Sequence, residues 1–265
     1  MVKIKKLSDQ YSVFSKEYDY LISLGHRCCT ASSDGYTRKS SFPLDWQITD
    51  INLLEKLFDS EFQNFYPDSG VEFVHVYHGT DENGNDTGFD FELTKQTFER
   101  RCKRLMDLIK ANNRKLLFVR TKYRWYWSRS DHPTQLDQNP TGYDIYKLSN
   151  TMDLIRDKFN NNNIDCLYIY NDLSDQDGFD NDPACLKPGL QWNKDGTING
   201  EDLVMQSIGD QLELAKTFEY KELGTYNGVH CVKVHSFGKR VEALAYTSQI
   251  FEHLKITDVQ DFERA

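Results

Sequence analysis

No window of the sequence holds the roughly 20 apolar residues that a membrane-spanning helix needs. The basic start, Met1 to Gln10, lacks the apolar stretch and cleavage site of a secretory leader. Neither a membrane span nor export is expected. Positive charge is also short: 32 Lys and Arg stand against 41 Asp and Glu, a formal net charge of -9. That balance disfavours nucleic-acid binding, because phosphate contacts rest on cations that displace counterions. The six cysteines, at 28, 29, 102, 166, 185 and 231, include no C-x-x-C pair, which argues against a disulfide frame and for reduced thiols in a cytosol-like compartment. Adjacent Cys28 and Cys29 lack zinc-ligand spacing, and His75 and His78 have no matching pair, so no structural metal is expected. Internal repeats and low-complexity linkers are absent, and 265 residues suffice for one sizeable core. The expectation is a single domain, residues 1–265.

What is present is an alternation of two periodicities. Tyr20 to Gly25 is a short apolar run stopped by glycine, as a buried parallel strand would be. Val71 to His78, Lys115 to Thr121, Asp165 to Tyr170 and His230 to Phe237 read the same way. Helical spacing lies between them, over Thr49 to Phe65, Thr94 to Asn112 with a stop at Asn112-Asn113, Ser149 to Phe159, and Lys239 to Leu254. The pattern predicts an α/β fold: an open, mostly parallel sheet of about five strands with helices on both faces, in Rossmann-like or flavodoxin-like layering. Two segments break it. Residues 123–146 and 171–202 read as loop or lid insertions, and Asn193 to Gly200 resembles a hairpin turn.

In such a sheet ligands bind beyond the carboxyl ends of the strands. The first strand is followed there by His26, Arg27, Cys28 and Cys29, the second ends in His75 and His78, and the third delivers Arg120, Lys122 and Arg124. Asn171 and Asp172 follow the fourth, and His235 lies in the fifth. Cys28 is the candidate nucleophile. A cysteine after a glycine turn, at the start of a helix and beside Arg27, gains thiolate character from unpaired N–H groups and positive charge. Backbone N–H groups from Gly25 onward would hold an oxyanion. His78, before Gly79, is the first choice of base, with His75 and His235 as alternates, and Asp172 orients it, with Asn171 and Asp45 behind. Ser41-Phe42-Pro43-Leu44-Asp45-Trp46 reads as a rigid packed loop with Trp46 on a pocket floor. Gly25, Arg27, Trp46, Arg120, Arg124 and Trp125 are the candidate substrate contacts.

The run Ser23-Leu24-Gly25-x-x-Cys28, followed by Ser41-x-Pro43-Leu44-Asp45-Trp46, resembles the signature of an uncharacterised family described as papain-like cysteine peptidases, found in bacteria and large DNA viruses. Phe98 to Arg104 and Leu116 to Arg120 resemble its continuation, so the likeness covers about residues 18 to 172. It implies a nucleophile at Cys28 with a histidine partner and no cofactor. The frequent setting of the family among surface-polysaccharide genes implies glycan modification, and the location implied is cytoplasmic, or the host cytoplasm for a viral member. The chain departs from the family in Cys29 and in Leu44, where phenylalanine is commoner, and the alternating strands and helices differ from a papain core.

The leading expectation is therefore an acyl-transfer enzyme, hydrolase or acyltransferase, acting on a small-molecule, peptide or glycan substrate. The alternative is a glycosyltransferase or nucleotide-sugar enzyme. In that reading Asp175 and Asp177 hold a divalent cation such as Mn or Mg against the diphosphate, while Arg120 and Arg124 bind phosphate. A third reading, a binding module, rests on Tyr123, Trp125, Tyr126 and Trp127 as an aromatic platform.

Overall fold

Four of the five expected strands line up side by side in the computed structural model, which describes residues 13–25, 40–122, 141–171, 191–192, 198–199, 220–226, 228–234, 247–248 and 250–257. In chain order the strands are β1 (Glu17–Tyr18), β2 (Tyr20–Ser23), β3 (His78–Thr80), β4 (Asp86–Phe89), β5 (Leu116–Lys122), β6 (Ile164–Asn171), β7 (Gln191–Trp192), β8 (Ile198–Asn199), β9 (Tyr220–Tyr226), β10 (Val229–Val234) and β11 (Lys255–Ile256). The helices are α1 (Ile51–Asp59), α2 (Phe91–Ala111) and α3 (Thr141–Phe159). The fold is α/β. Its main sheet runs β2-β5-β6-β10-β9, with every pair from β2 to β10 parallel and β9 antiparallel on the edge.

Each new parallel strand is added on the same side of the last, so right-handed crossovers put the connecting helices on one face. Leu54 and Phe58 of α1, Phe98, Leu105 and Ile109 of α2, and Leu148, Met152 and Ile155 of α3 share one core with Tyr20, Ile22, Phe118, Cys166, Tyr168 and Cys231 of the sheet. The opposite face presents Leu21, Leu117, Val119, Leu167, Ile169 and Val232. These are covered by Val13 and Tyr18 from the amino-terminal segment and by Ile250, Phe251 and Leu254 from the carboxyl-terminal one. Burial on both faces is why these strands read as unbroken apolar runs.

Capping sets two helix boundaries. The Asp50 carboxylate accepts from Asn52 N to start α1, and Asp90 accepts from Leu93 N to start α2, which stops at the left-handed Asn112. Helix α1 ends at Asp59, short of the expected Phe65, because Glu61, Phe62 and Asn64 take positive φ and turn the chain so that Phe62 and Phe65 still reach the core. Helix α3 begins at Thr141, so residues 141–146 belong to it and not to the expected insertion over 123–146. Residues 123–140 lie outside the described part. Of the helix expected over Lys239 to Leu254, residues 247–248 and 250–252 are described and helical.

The largest correction concerns Val71 to His78, which contributes no strand to the main sheet. It makes one antiparallel bridge, Ile48 to Glu72, and ends in the separate hairpin β3–β4. Its Phe73 packs edge-on against Phe65 and Phe98, and Tyr77 against Phe98. Those contacts partly bury the aromatic residues that suggested a strand, while Val74 stays exposed. The fifth strand of the sheet is β9, which pairs with β10 across Gly228 at φ +81°. Within 171–202, β7 and β8 pair antiparallel, as the hairpin reading of Asn193 to Gly200 requires. No helix among the described residues is long and apolar enough to cross a membrane.

Candidate functional site

The carboxyl end of β2 is tightly constrained. Gly25 follows at φ +74°, a conformation that favours glycine, and a Cβ there would lie 2.4 Å from Thr49 Oγ1. No side chain fits. Arg120, projecting from β5 and 1 % exposed, reaches across: Nη1 donates to Leu24 O at 3.0 Å and Nη2 to Thr49 O at 2.9 Å. One guanidinium thus ties β2, β5 and the start of α1 together.

Beside this turn, the Asp45 carboxylate accepts from Phe42 N at 2.8 Å and closes the expected packed loop. Trp46 then sits at φ +67°, an outlier for a bulky residue that only an over-determined surrounding sustains. The fully buried Gln47 supplies part of that surrounding. Its amide donates to Asp45 O and His75 O, at 3.2 and 3.3 Å, and its carbonyl oxygen accepts from Val74 N at 2.9 Å. His75 is consequently pinned next to the loop, with its ring edge-on to Trp46 at 5.3 Å between centroids. Gln47 O lies 3.5 Å from the Cβ position of Gly25, so the turn, the loop and His75 are contiguous.

A second cluster lies at the carboxyl end of β5. Lys122 Nζ is 2.6 Å from Asp144 Oδ2, and both side chains are almost wholly buried. The Tyr168 hydroxyl donates to the same oxygen at 2.9 Å. Burial first, and the Asp144 charge second, push the Tyr168 phenol well above its ordinary range, so it stays a donor. Asp144 is in the first turn of α3, where the helix dipole favours a negative charge.

Several sequence expectations change here. Arg120 is a brace and not a substrate or phosphate contact, because its side chain is buried and both terminal nitrogens donate to backbone carbonyls, with Nε alone lacking a partner. Asp45 Oδ2 accepts from its own loop backbone. The Gly25 N–H donates to Ser23 Oγ at 3.2 Å, so it is not an open oxyanion donor. His78 stands in the β3–β4 hairpin with its Nδ1 2.9 Å from Asp86, both side chains more than half exposed; no strand of the main sheet carries it to the carboxyl edge. Among the described residues, His75 is the histidine whose backbone Gln47 ties to the loop next to Gly25, and its side chain is exposed. The backbone of Asn171 ends β6 at that edge. Arg27, Cys28, Cys29, Arg124, Trp125, Asp172, Asp175, Asp177 and His235 lie outside the described residues.

The thiols narrow the choice of nucleophile. Cys102, Cys166 and Cys231 are free and buried. Burial pushes Cys102 and Cys231 up to about 12, and Cys166 higher still, which makes all three inert at neutral pH. A reactive cysteine in this chain is therefore Cys28, Cys29 or Cys185. Among the described residues, no three His, Cys, Asp or Glu side chains gather as a metal site. Sequence reasoning named Lys122 at the strand end but missed its partners Asp144 and Tyr168, and missed Gln47. For the buried pair a signal existed: strand alternation puts Lys122, like Arg120, on the helix-covered face with Leu116 and Phe118, where a cation requires a buried partner. Comparison with known proteins finds no matching family model, no matching curated protein and no matching solved structure.

Proposed function

We propose that the chain is a cysteine-dependent acyl-transfer enzyme, a hydrolase or acyltransferase, with Cys28 as nucleophile and His75 as its imidazole partner. The observation that supports this most is the locked Leu24-Gly25 turn at the carboxyl end of β2, three residues before Cys28 and beside the Trp46–His75 pair. A nucleophile needs a fixed approach, and glycine, Arg120 and the strained Trp46 are costly features that a purely structural turn has no need to combine. The resemblance to papain-like cysteine peptidases at Ser23 to Cys28 and Ser41 to Trp46 points the same way.

In the proposed reaction, His75 takes the Cys28 proton and the thiolate adds to the carbonyl carbon of an ester, amide or thioester. Collapse expels the leaving group, which receives that proton, and leaves a thioester on Cys28. Water or an acceptor hydroxyl or amine then attacks the thioester and restores the thiol. Asp172, one residue beyond β6, is the proposed orienter of the ring. Free Cys102, Cys166 and Cys231 suit a reducing compartment such as the cytoplasm.

The test is acid-quenched trapping with a panel of aryl esters, alkyl thioesters and peptide amides, the adduct located by peptide mass. An acyl group on Cys28 in wild type and Cys29→Ser, and none in Cys28→Ser, is the expected result. An adduct on another residue, or undiminished turnover in Cys28→Ser, refutes the assignment.

A further inference from the structure

At the opposite, amino-terminal end of the sheet, the Asp165 carboxylate is shared by three groups, two from the amino-terminal segment and one from β10. Asp165 Oδ2 accepts from Lys16 Nζ and from the Tyr18 hydroxyl, each at 2.8 Å. Asp165 Oδ1 is 4.0 Å from Nε2 of His230, which is 3 % exposed, and His230 Nδ1 lies 3.4 Å from Thr225 Oγ1. Lys16 and Tyr18 belong to the segment that covers the second face of the sheet. That segment is itself tied to the carboxyl-terminal one by the β1–β11 pairing and by Thr257 N donating to Tyr18 O at 2.9 Å. Beside the shared carboxylate is a cleft of about 450 Å³ lined by Lys16, Tyr18, Lys115, Asn162, Asn163 and Asp165.

We propose that His230 is a proton-operated latch: its protonation releases the segments 13–18 and 250–257 from the second face of the sheet and opens the cleft at Asp165. A neutral ring fits the site, with Nδ1 accepting from the Thr225 hydroxyl and Nε2–H directed at Asp165. A charged ring does not. It adds a second cation beside Lys16, within reach of one carboxylate that Lys16 and Tyr18 already use, and it does so where the terminal cover contributes apolar Ile250, Phe251 and Leu254. Among the described residues, Asp165 of β6 and Lys16 of the amino-terminal segment are the charged groups that act on the ring, Tyr18 of β1 reaches it through Asp165, and β9 contributes Thr225.

The electrostatics of burial point in the same direction as the geometry. Burial, outweighing Asp165, holds His230 down at about 4 against an ordinary 6.5. A depressed imidazole contributes stability that is fully present above pH 6.5 and lost as pH falls toward 4, because the opened state binds the proton more tightly. If opening restores the ordinary value, the opening equilibrium rises about 30-fold between pH 7.5 and 5.

Hydrogen exchange on the full chain, corrected for intrinsic exchange rates, reads this directly. Protection of 13–18 and 250–257 should fall about 30-fold between pH 7.5 and 5 in wild type, while α1 to α3 change far less. His230→Gln should remove the acid-dependent loss, and Asp165→Asn should loosen both segments already at pH 7.5. Unchanged protection of the wild-type segments at pH 5, or the same loss in His230→Gln, overturns the latch. Should either variant fail to fold, an NMR titration of the wild-type His230 ring decides: a midpoint coincident with segment release supports the latch, and a separate one refutes it.

Discussion

Asp144→Ala is expected to lower the stability of the chain by about 3–5 kcal/mol, the range for breaking a buried ion pair from one side. The substitution removes the counter-charge 2.6 Å from Lys122 and the acceptor of the Tyr168 hydroxyl, and both groups remain in a dry core. Desolvation of the ammonium outweighs the lost side-chain volume. Replacing the polar groups together, as Lys122→Met, Asp144→Leu and Tyr168→Phe, should cost much less than the single change, because the ammonium is removed along with its counter-charge. Urea denaturation of the wild type, Asp144→Ala and the triple variant checks this. A single-variant loss below about 1 kcal/mol, the range of an exposed pair, contradicts the account of the β5 end. The cluster matters to function because it fixes β5, the strand from which Arg120 braces the Gly25 turn.

His75→Ala is expected to slow Cys28 acylation by about two decades, the scale of a lost general base, and His78→Ala by less than twofold. The difference follows from placement. Gln47 pins the His75 backbone beside the Gly25 turn and Trp46 flanks its ring, whereas His78 spends Nδ1 on Asp86 in a hairpin outside the main sheet. Acylation rates under trapping conditions, with urea denaturation to confirm folding, distinguish the two. Equal losses in both variants, or a loss in His78→Ala alone, refute the choice of base. Trp46→Gly provides a further comparison, since it relieves the positive φ and removes the ring beside His75.

How much of this was legible in the sequence depended on whether burial left a periodic trace. Strands β2, β5, β6 and β10 are covered on both faces, so their runs of Leu, Ile, Val and aromatics stood out. Strand β9 reads Tyr-Lys-Glu-Leu-Gly-Thr-Tyr, too polar for that signal, although Asn227-Gly228 after it is a strong hairpin mark. Val71 to His78 carried a strand-like composition because its aromatics pack on α2, and composition does not tell one apolar partner from another. The start of α3 was hidden by Asn139-Pro140, read as loop, while Ile145, Leu148, Met152 and Ile155 already formed one helical face.

At the site, the chain segments were legible and the direction of their side chains was not. Arginine at a strand end reads equally as a ligand for phosphate and as an inward brace, and the alternation with Leu116 and Phe118 decides for the brace. Likewise Asp45 was recognisable as part of a rigid loop, but only its 2.8 Å bond from Phe42 N shows that it closes that loop. Spacing placed His75 and His78 on one strand. His78 opens a separate hairpin and His75 precedes it, tied by its backbone to the buried Gln47 amide, which no motif reveals.

The central claim is an activated thiol just beyond the Gly25 turn, and the pH dependence of alkylation, resolved for each of the six cysteines by peptide mass, tests it most directly. Cys28 should label with a midpoint well below the ordinary thiol value of about 8.5, while Cys102, Cys166 and Cys231 stay unlabelled in the native protein. Labelling of Cys28 with an ordinary midpoint, or no faster than the buried thiols, contradicts the claim.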